Sequence, residues 1–154
     1  MKVKSFLSAA FAATALMAVG AVSMSFTTMD EKPTSRVVEE GGTGPYKAVM
    51  KEEPTLEAHT IFVPQDLSAF NEKKALPVLV WGNGACNNSP FEHYKFLNEI
   101  ASHGYIVVAT GFMPQEGERY HGPMSTTEQQ IEAMDWVEQQ NADKNSPYYG
   151  KIDV

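Results

Sequence analysis

A stretch that is apolar at every position, rather than at alternate ones, forms a strand only where both of its faces are buried. Two such runs lie close together in this chain, Val78 to Trp81 and Tyr105 to Ala109. Between them, Ser89-Pro90-Phe91-Glu92 reads as a helix start, with Ser89 as N-cap, Pro90 at the first helical position and Glu92 three residues on. The helix that follows places Phe91, Tyr94, Leu97 and Ala101 on one face, with Phe96 and Ile100 alongside, and Gly104 ends it. A second box, Ser125-Thr126-Thr127-Glu128, opens a helix that turns Ile131, Met134 and Val137 inward and runs to about Gln140. Lys151 to Val154 reads as the approach to a further strand. This strand-helix-strand-helix order predicts an α/β sandwich around a mostly parallel sheet. Function in such sheets sits at the carboxyl ends of the strands, which selects two loops, Gly82 to Ser89 and Gly111 to Met124.

Ahead of that core, Lys47 to Glu52 and His59 to Pro64 read as an antiparallel opening pair around the Glu53-Pro54 turn. Residues 24–45 are polar and punctuated by Gly and Pro, so they are expected to be a flexible leader. Before them, Lys2 and Lys4 precede seventeen uncharged residues from Phe6 to Val22, with small residues around Ala21 to Ser23. That is the pattern of a cleaved export signal over residues 1–23, which predicts a periplasmic or secreted protein with no stable membrane anchor after signal removal. Removal of those residues leaves 10 basic against 19 acidic side chains, a formal charge of −9. Nucleic acids and anionic membranes need clustered Lys and Arg, so neither is expected as a partner. The single cysteine, Cys86, is expected to be either a buried thiol or half of a bridge to a cysteine outside these residues.

In the first loop, Gly82-Asn83-Gly84 lets the backbone turn at a strand end and exposes the amides of Gly84, Ala85 and Cys86 near a helix start, a setting that favours negative charge. A dinucleotide fingerprint needs a third glycine and an acidic residue at the end of the next strand; here Asn87 and Ala109-Thr110-Gly111 stand in those places. A phosphate-binding P-loop needs Gly-Lys-Ser/Thr, which the sequence lacks. An oxyanion donor loop needs only free amides aimed at a carbonyl oxygen.

Three segments carry a resemblance: "LPVLVWGNGAC", "FEHYKFLNEIASHGYIVVATG", and "STTEQQIEAMDWVEQQN" followed by "GKIDV". Over Tyr46 to Val154 the chain resembles the N-terminal half of an α/β-hydrolase, and is similar to the secreted chlorophyllase, dienelactone hydrolase and polyester hydrolase (cutinase-like) group. The resemblance implies an incomplete α/β-hydrolase sandwich with strands 1 to 4, helices A and B and the start of strand 5. It also implies a fifth strand paired with Val78 to Trp81. Ala85 would supply a backbone N–H to the oxyanion, with Gly84 as the turn residue. No Gly-x-Ser-x-Gly occurs in the sequence, so the nucleophile, acid and histidine are expected beyond Val154. The implied activity is serine-type hydrolysis of a small-molecule or polymeric ester, or of a related acyl bond, with no cofactor and no metal.

Trp81, Asn83, Cys86 and His121 are the further candidates for the substrate cleft. For Trp81 the competing role is packing under the first helix; for His121, a solvated loop position. His59, His93 and His103 read as structural or solvated. Cys86 has no histidine evidently placed to activate it as a nucleophile. Two other outcomes stay open: an exported Rossmann-like module that binds an anionic ligand at the Gly82 to Asn88 loop, and a truncated product without function.

Overall fold

The computed structural model describes residues 34–117 and 119–154. The expected signal peptide and the first part of the expected leader, residues 24–33, lie outside the described residues. Six strands, β1 (Ser35–Arg36), β2 (Ala48–Glu53), β3 (Leu56–Pro64), β4 (Leu76–Trp81), β5 (Ile106–Thr110) and β6 (Ile152–Asp153), form one sheet in the order β1-β2-β3-β5-β4-β6. Two helices, α1 (Tyr94–Ser102) and α2 (Thr127–Ala142), pack against it.

The sheet corrects the expected fold. β1 with β2, β2 with β3 and β3 with β5 all pair antiparallel; only the pairings of β4, with β5 and with β6, are parallel. The sheet is therefore mixed and mostly antiparallel, not the mostly parallel sheet of an α/β-hydrolase sandwich. The physical reason lies in what buries β5. Its side chains alternate between two cores, with Ile106 and Val108 beside Ala133, Trp136 and Val137 of α2, and Val107 and Ala109 beside Leu97 and Ala101 of α1. A helix on each face makes the strand apolar throughout, whichever way its neighbours run. The last residues pair in parallel with the start of β4, Ile152 opposite Leu76 and Asp153 opposite Pro77, and not with the expected Val78 to Trp81.

Residues 34–45 also differ from the expected flexible leader. They form β1 and a short 3-10 turn, Glu39–Gly41, and bury Val38. The segment is tied to α1: Asn98 Nδ2 donates to Val38 O at 3.1 Å, Gly44 N to Ser102 Oγ at 3.0 Å, and Tyr46 N to Ser102 O at 3.0 Å. Thr43 donates to Glu99 from both its hydroxyl and its amide, which holds the Glu99 carboxyl below its usual range. Close approach explains the glycines, since a Cβ on Gly44 would lie 2.1 Å from Ser102 O.

Both helices start later than their sequence signals. Ser89 is buried and does not cap; α1 begins at Tyr94 after a turn in which His93 N donates to Pro90 O at 2.9 Å. Leu97 and Ala101 face the core as expected, while Phe96 is exposed. The α2 box closes one residue on, between Thr126 and Gln129, with Thr126 N donating to Gln129 Oε1 at 2.9 Å. The buried face is accordingly Ala133, Trp136 and Val137, and Ile131 and Met134 are about half exposed, at 50% and 48%. Trp136 anchors this face: its Nε1 donates to Thr55 Oγ1 at 2.9 Å, and its ring meets Tyr148 edge-on at 5.5 Å. The Tyr148 hydroxyl donates to Glu53 Oε1 at 2.8 Å; burial and then the Glu53 charge push the phenol well above its usual range.

Beyond Pro77, the edge of β4 that meets β6 has no strand partner among the described residues, and Ile131 and Met134 of the packed helix α2 are exposed. Open strand edges recruit other chains. The 154-residue chain is therefore expected to self-associate, with light scattering that rises with protein concentration. A monodisperse monomer across the concentration series would contradict that expectation.

Candidate functional site

The two loops chosen from the sequence meet at the carboxyl ends of β4 and β5. Phe112 N donates to Asn88 O at 3.0 Å and Ser125 N to Cys86 O at 2.8 Å, so each end of the second loop is fastened to the first. Asn83 is the hub of this junction. Its Nδ2 donates to Thr110 O at 2.7 Å and to Asn87 O at 2.9 Å, while its Oδ1 accepts from Trp81 Nε1 at 3.1 Å. Asn83 thus braces the loop from behind and does not line the cleft in front of it. Trp81 likewise packs toward α1, edge-on to His93 at 5.3 Å and to Phe96 at 6.1 Å, the packing role weighed from the sequence.

The loop itself is a 3-10 turn over Gly84–Cys86, and its strain falls on unexpected residues. Ala85 and Cys86 have φ of 54° and 53°, whereas Gly84 has no positive φ. A left-handed backbone costs a non-glycine residue about 1–2 kcal/mol, so the surrounding hydrogen bonds must hold it there. Asn87 N donates to Gly84 O at 3.1 Å and closes the turn. Among the hydrogen bonds of the described residues the Ala85 amide is not a donor. Because α1 starts at Tyr94 rather than at Pro90, the donors here are backbone amides of the turn and not a helix end.

Gly84, Ala85 and Cys86 line an open cleft of about 730 Å³ together with Arg119, Tyr120, His121, Gly122 and Pro123. Of the six candidates, the cleft gathers Gly84, Ala85, Cys86 and His121, and leaves Trp81 and Asn83 behind it. Cys86 is an exposed free thiol, which removes the buried alternative. Arg119 is held at the rim by Glu92, Nη2 to Oε1 at 3.0 Å.

The three other histidines are accounted for by structure. His59 is buried and bridges β3 to α2, with Nδ1 2.8 Å from Glu57 O and Nε2 2.7 Å from Gln129 O. His93 is the N-cap of α1, and His103 lies 3.1 Å from Glu99 Oε1. No group of three or more His, Cys, Asp or Glu side chains is placed to hold a metal among the described residues. Sequence reasoning missed Phe112 and Tyr120, whose rings stack at 5.5 Å with 21° between planes. Their only signal was two aromatic residues in a loop whose other apolar side chains, prolines aside, are Met113 and Met124. A scan against protein-family models finds no match for the chain, and a search of curated proteins finds none.

Proposed function

We propose that this chain supplies the oxyanion-binding part of an exported serine-type hydrolase acting on ester or related acyl bonds. One observation carries the reading: the Ala85 amide, which has no acceptor among the described residues, sits in a left-handed turn at the carboxyl end of β4, and Ala85 lines the cleft. A turn that holds a strained residue and leaves its N–H free is a preorganised donor, and such donors act on charge that develops in a transition state.

In the proposed reaction a serine Oγ attacks the carbonyl carbon of the ester while a histidine takes its proton. The carbonyl oxygen becomes an oxyanion and accepts hydrogen bonds from Ala85 N–H and from the amide that follows the serine. Collapse of the tetrahedral species expels the alcohol, which receives the proton from the histidine, and water then releases the acid by the same steps. No Gly-x-Ser-x-Gly lies in residues 1–154, so the nucleophile is assigned to a segment outside them.

A fluorophosphonate probe, which reacts with activated serines, tests this on protein taken from its natural source. The expected result is a labelled polypeptide whose peptides include Lys47 to Val154, with the label on a serine outside residues 1–154. Detection of those peptides by mass spectrometry without any labelled species would overturn the proposal.

A further inference from the structure

Next to the oxyanion cleft lies a second cavity of about 550 Å³, walled by Phe112, Met113, Pro114, Tyr120 and Pro123, with Glu52 and Arg119 among its polar neighbours. The two spaces are continuous in their lining, because the segment Arg119 to Pro123 borders both. Phe112 is 39% exposed although it is a large apolar residue at the base of a loop. Its ring is stacked on Tyr120 rather than packed into either core. Two rings stacked at 21°, with Phe112 partly exposed, in a cavity adjoining the cleft that Ala85 lines, form a surface suited to another flat or branched apolar group.

We propose that this cavity is the acyl pocket of the site, and that it takes the neutral, bulky apolar part of an ester such as an aromatic or branched acyl group. The proposal rests on the oxyanion reading of Ala85, which sets where the carbonyl lies. Charge disfavours the anionic form. Arg119 at the rim is already paired with Glu92, whereas Glu52 lines this cavity and Glu52 and Glu57 line the adjoining space that Phe112 also borders. A free carboxylate entering this pocket meets like charge, so the acid product is held less tightly than the ester. The volume lies within the roughly 300–1,000 Å³ of small-molecule sites and holds one ring or a short branched chain.

Binding to the 154-residue chain, measured by calorimetry, tests the pocket without any need for turnover. Ethyl benzoate and benzoate present the same ring as a neutral ester and an anion. Ethyl benzoate is expected to bind about tenfold or more tightly than benzoate, as like-charge exclusion predicts. Phe112→Ala and Tyr120→Ala are each expected to weaken it about two- to tenfold, the range of one aromatic contact. Tyr120→Phe keeps the ring and is expected to bind as the parent does; so is Phe96→Ala, which removes an exposed aromatic of α1. Occupancy is also expected to slow alkylation of Cys86 in the adjoining cleft.

Equal binding of ester and benzoate, or unchanged affinity in folded Phe112→Ala and Tyr120→Ala, would overturn the proposal. Loss of binding in Tyr120→Phe, with the fold intact by circular dichroism, would do the same, because it assigns recognition to the hydroxyl. The hydrolase reading is scored separately: probe labelling without selective binding removes only the acyl pocket, and selective binding without labelling removes only the hydrolysis.

Discussion

Gly111→Ala is expected to destabilise the protein by about 2–5 kcal/mol, the sum of a misplaced φ and an overpacked contact. Gly111 has a φ of 97°, and a Cβ there would lie 2.1 Å from the carbonyl carbon of Asn88 and 2.4 Å from Ser89 N. Backbone cannot move aside as a flexible side chain can. Either β5 shifts, breaking Gly111 N to Ala58 O at 2.7 Å and Thr60 Oγ1 to Gly111 O at 2.9 Å, or the first loop shifts and breaks Phe112 N to Asn88 O. Gly84→Ala is the control. Its Cβ meets nothing within 4 Å and its φ is not positive, so its stability is expected to stay within about 0.5 kcal/mol of the parent. For a domain of this size the Gly111 change lowers the melting temperature by roughly 10 °C or more, read by thermal circular dichroism. A Gly111→Ala variant that melts with the parent would mean that the two loops are not joined through this contact.

The core strands were legible because their cause is local: runs such as Tyr105 to Ala109 are apolar at every position and short. Strand direction was not, because β3 carries Thr60 to Val63 buried on both faces and reads alike beside a parallel or an antiparallel neighbour. Helix faces slipped for a related reason. The Ser125 and Thr126 signals differ by one position, and the bulk of Trp136, seated against Tyr148 and Thr55, decides between the faces only in three dimensions.

At the site, the position of the loop was legible and its geometry was not. Glycines at 82 and 84 pointed to the turn, yet the left-handed residues are Ala85 and Cys86, held by hydrogen bonds that Asn83 makes to Thr110 and Asn87. A long-range bond of that kind leaves no periodicity to read. The same holds for Gly42 and Gly44, where composition suggested flexibility and the structure uses the missing side chains for close contact with Ser102. Phe112 and Tyr120 come together only because Asn88 and Cys86 anchor both ends of the second loop.

The φ of 54° at Ala85 also determines how its amide is tested. Proline, which would delete the N–H, is locked near −65° and would destroy the turn along with the donor. Replacement of Ala85 by L-lactate removes only the N–H, since an ester oxygen takes its place while the methyl group and the chain geometry persist. The measurement is the kcat for ester hydrolysis of the serine-bearing form identified by the phosphonate probe, with lactate or alanine at position 85. Loss of this donor is expected to lower kcat on the order of a hundredfold to a thousandfold, about 3–4 kcal/mol of transition-state stabilisation, with a smaller effect on KM. A lactate variant that folds as the parent does and keeps its kcat would show that the Ala85 amide does not bind the oxyanion.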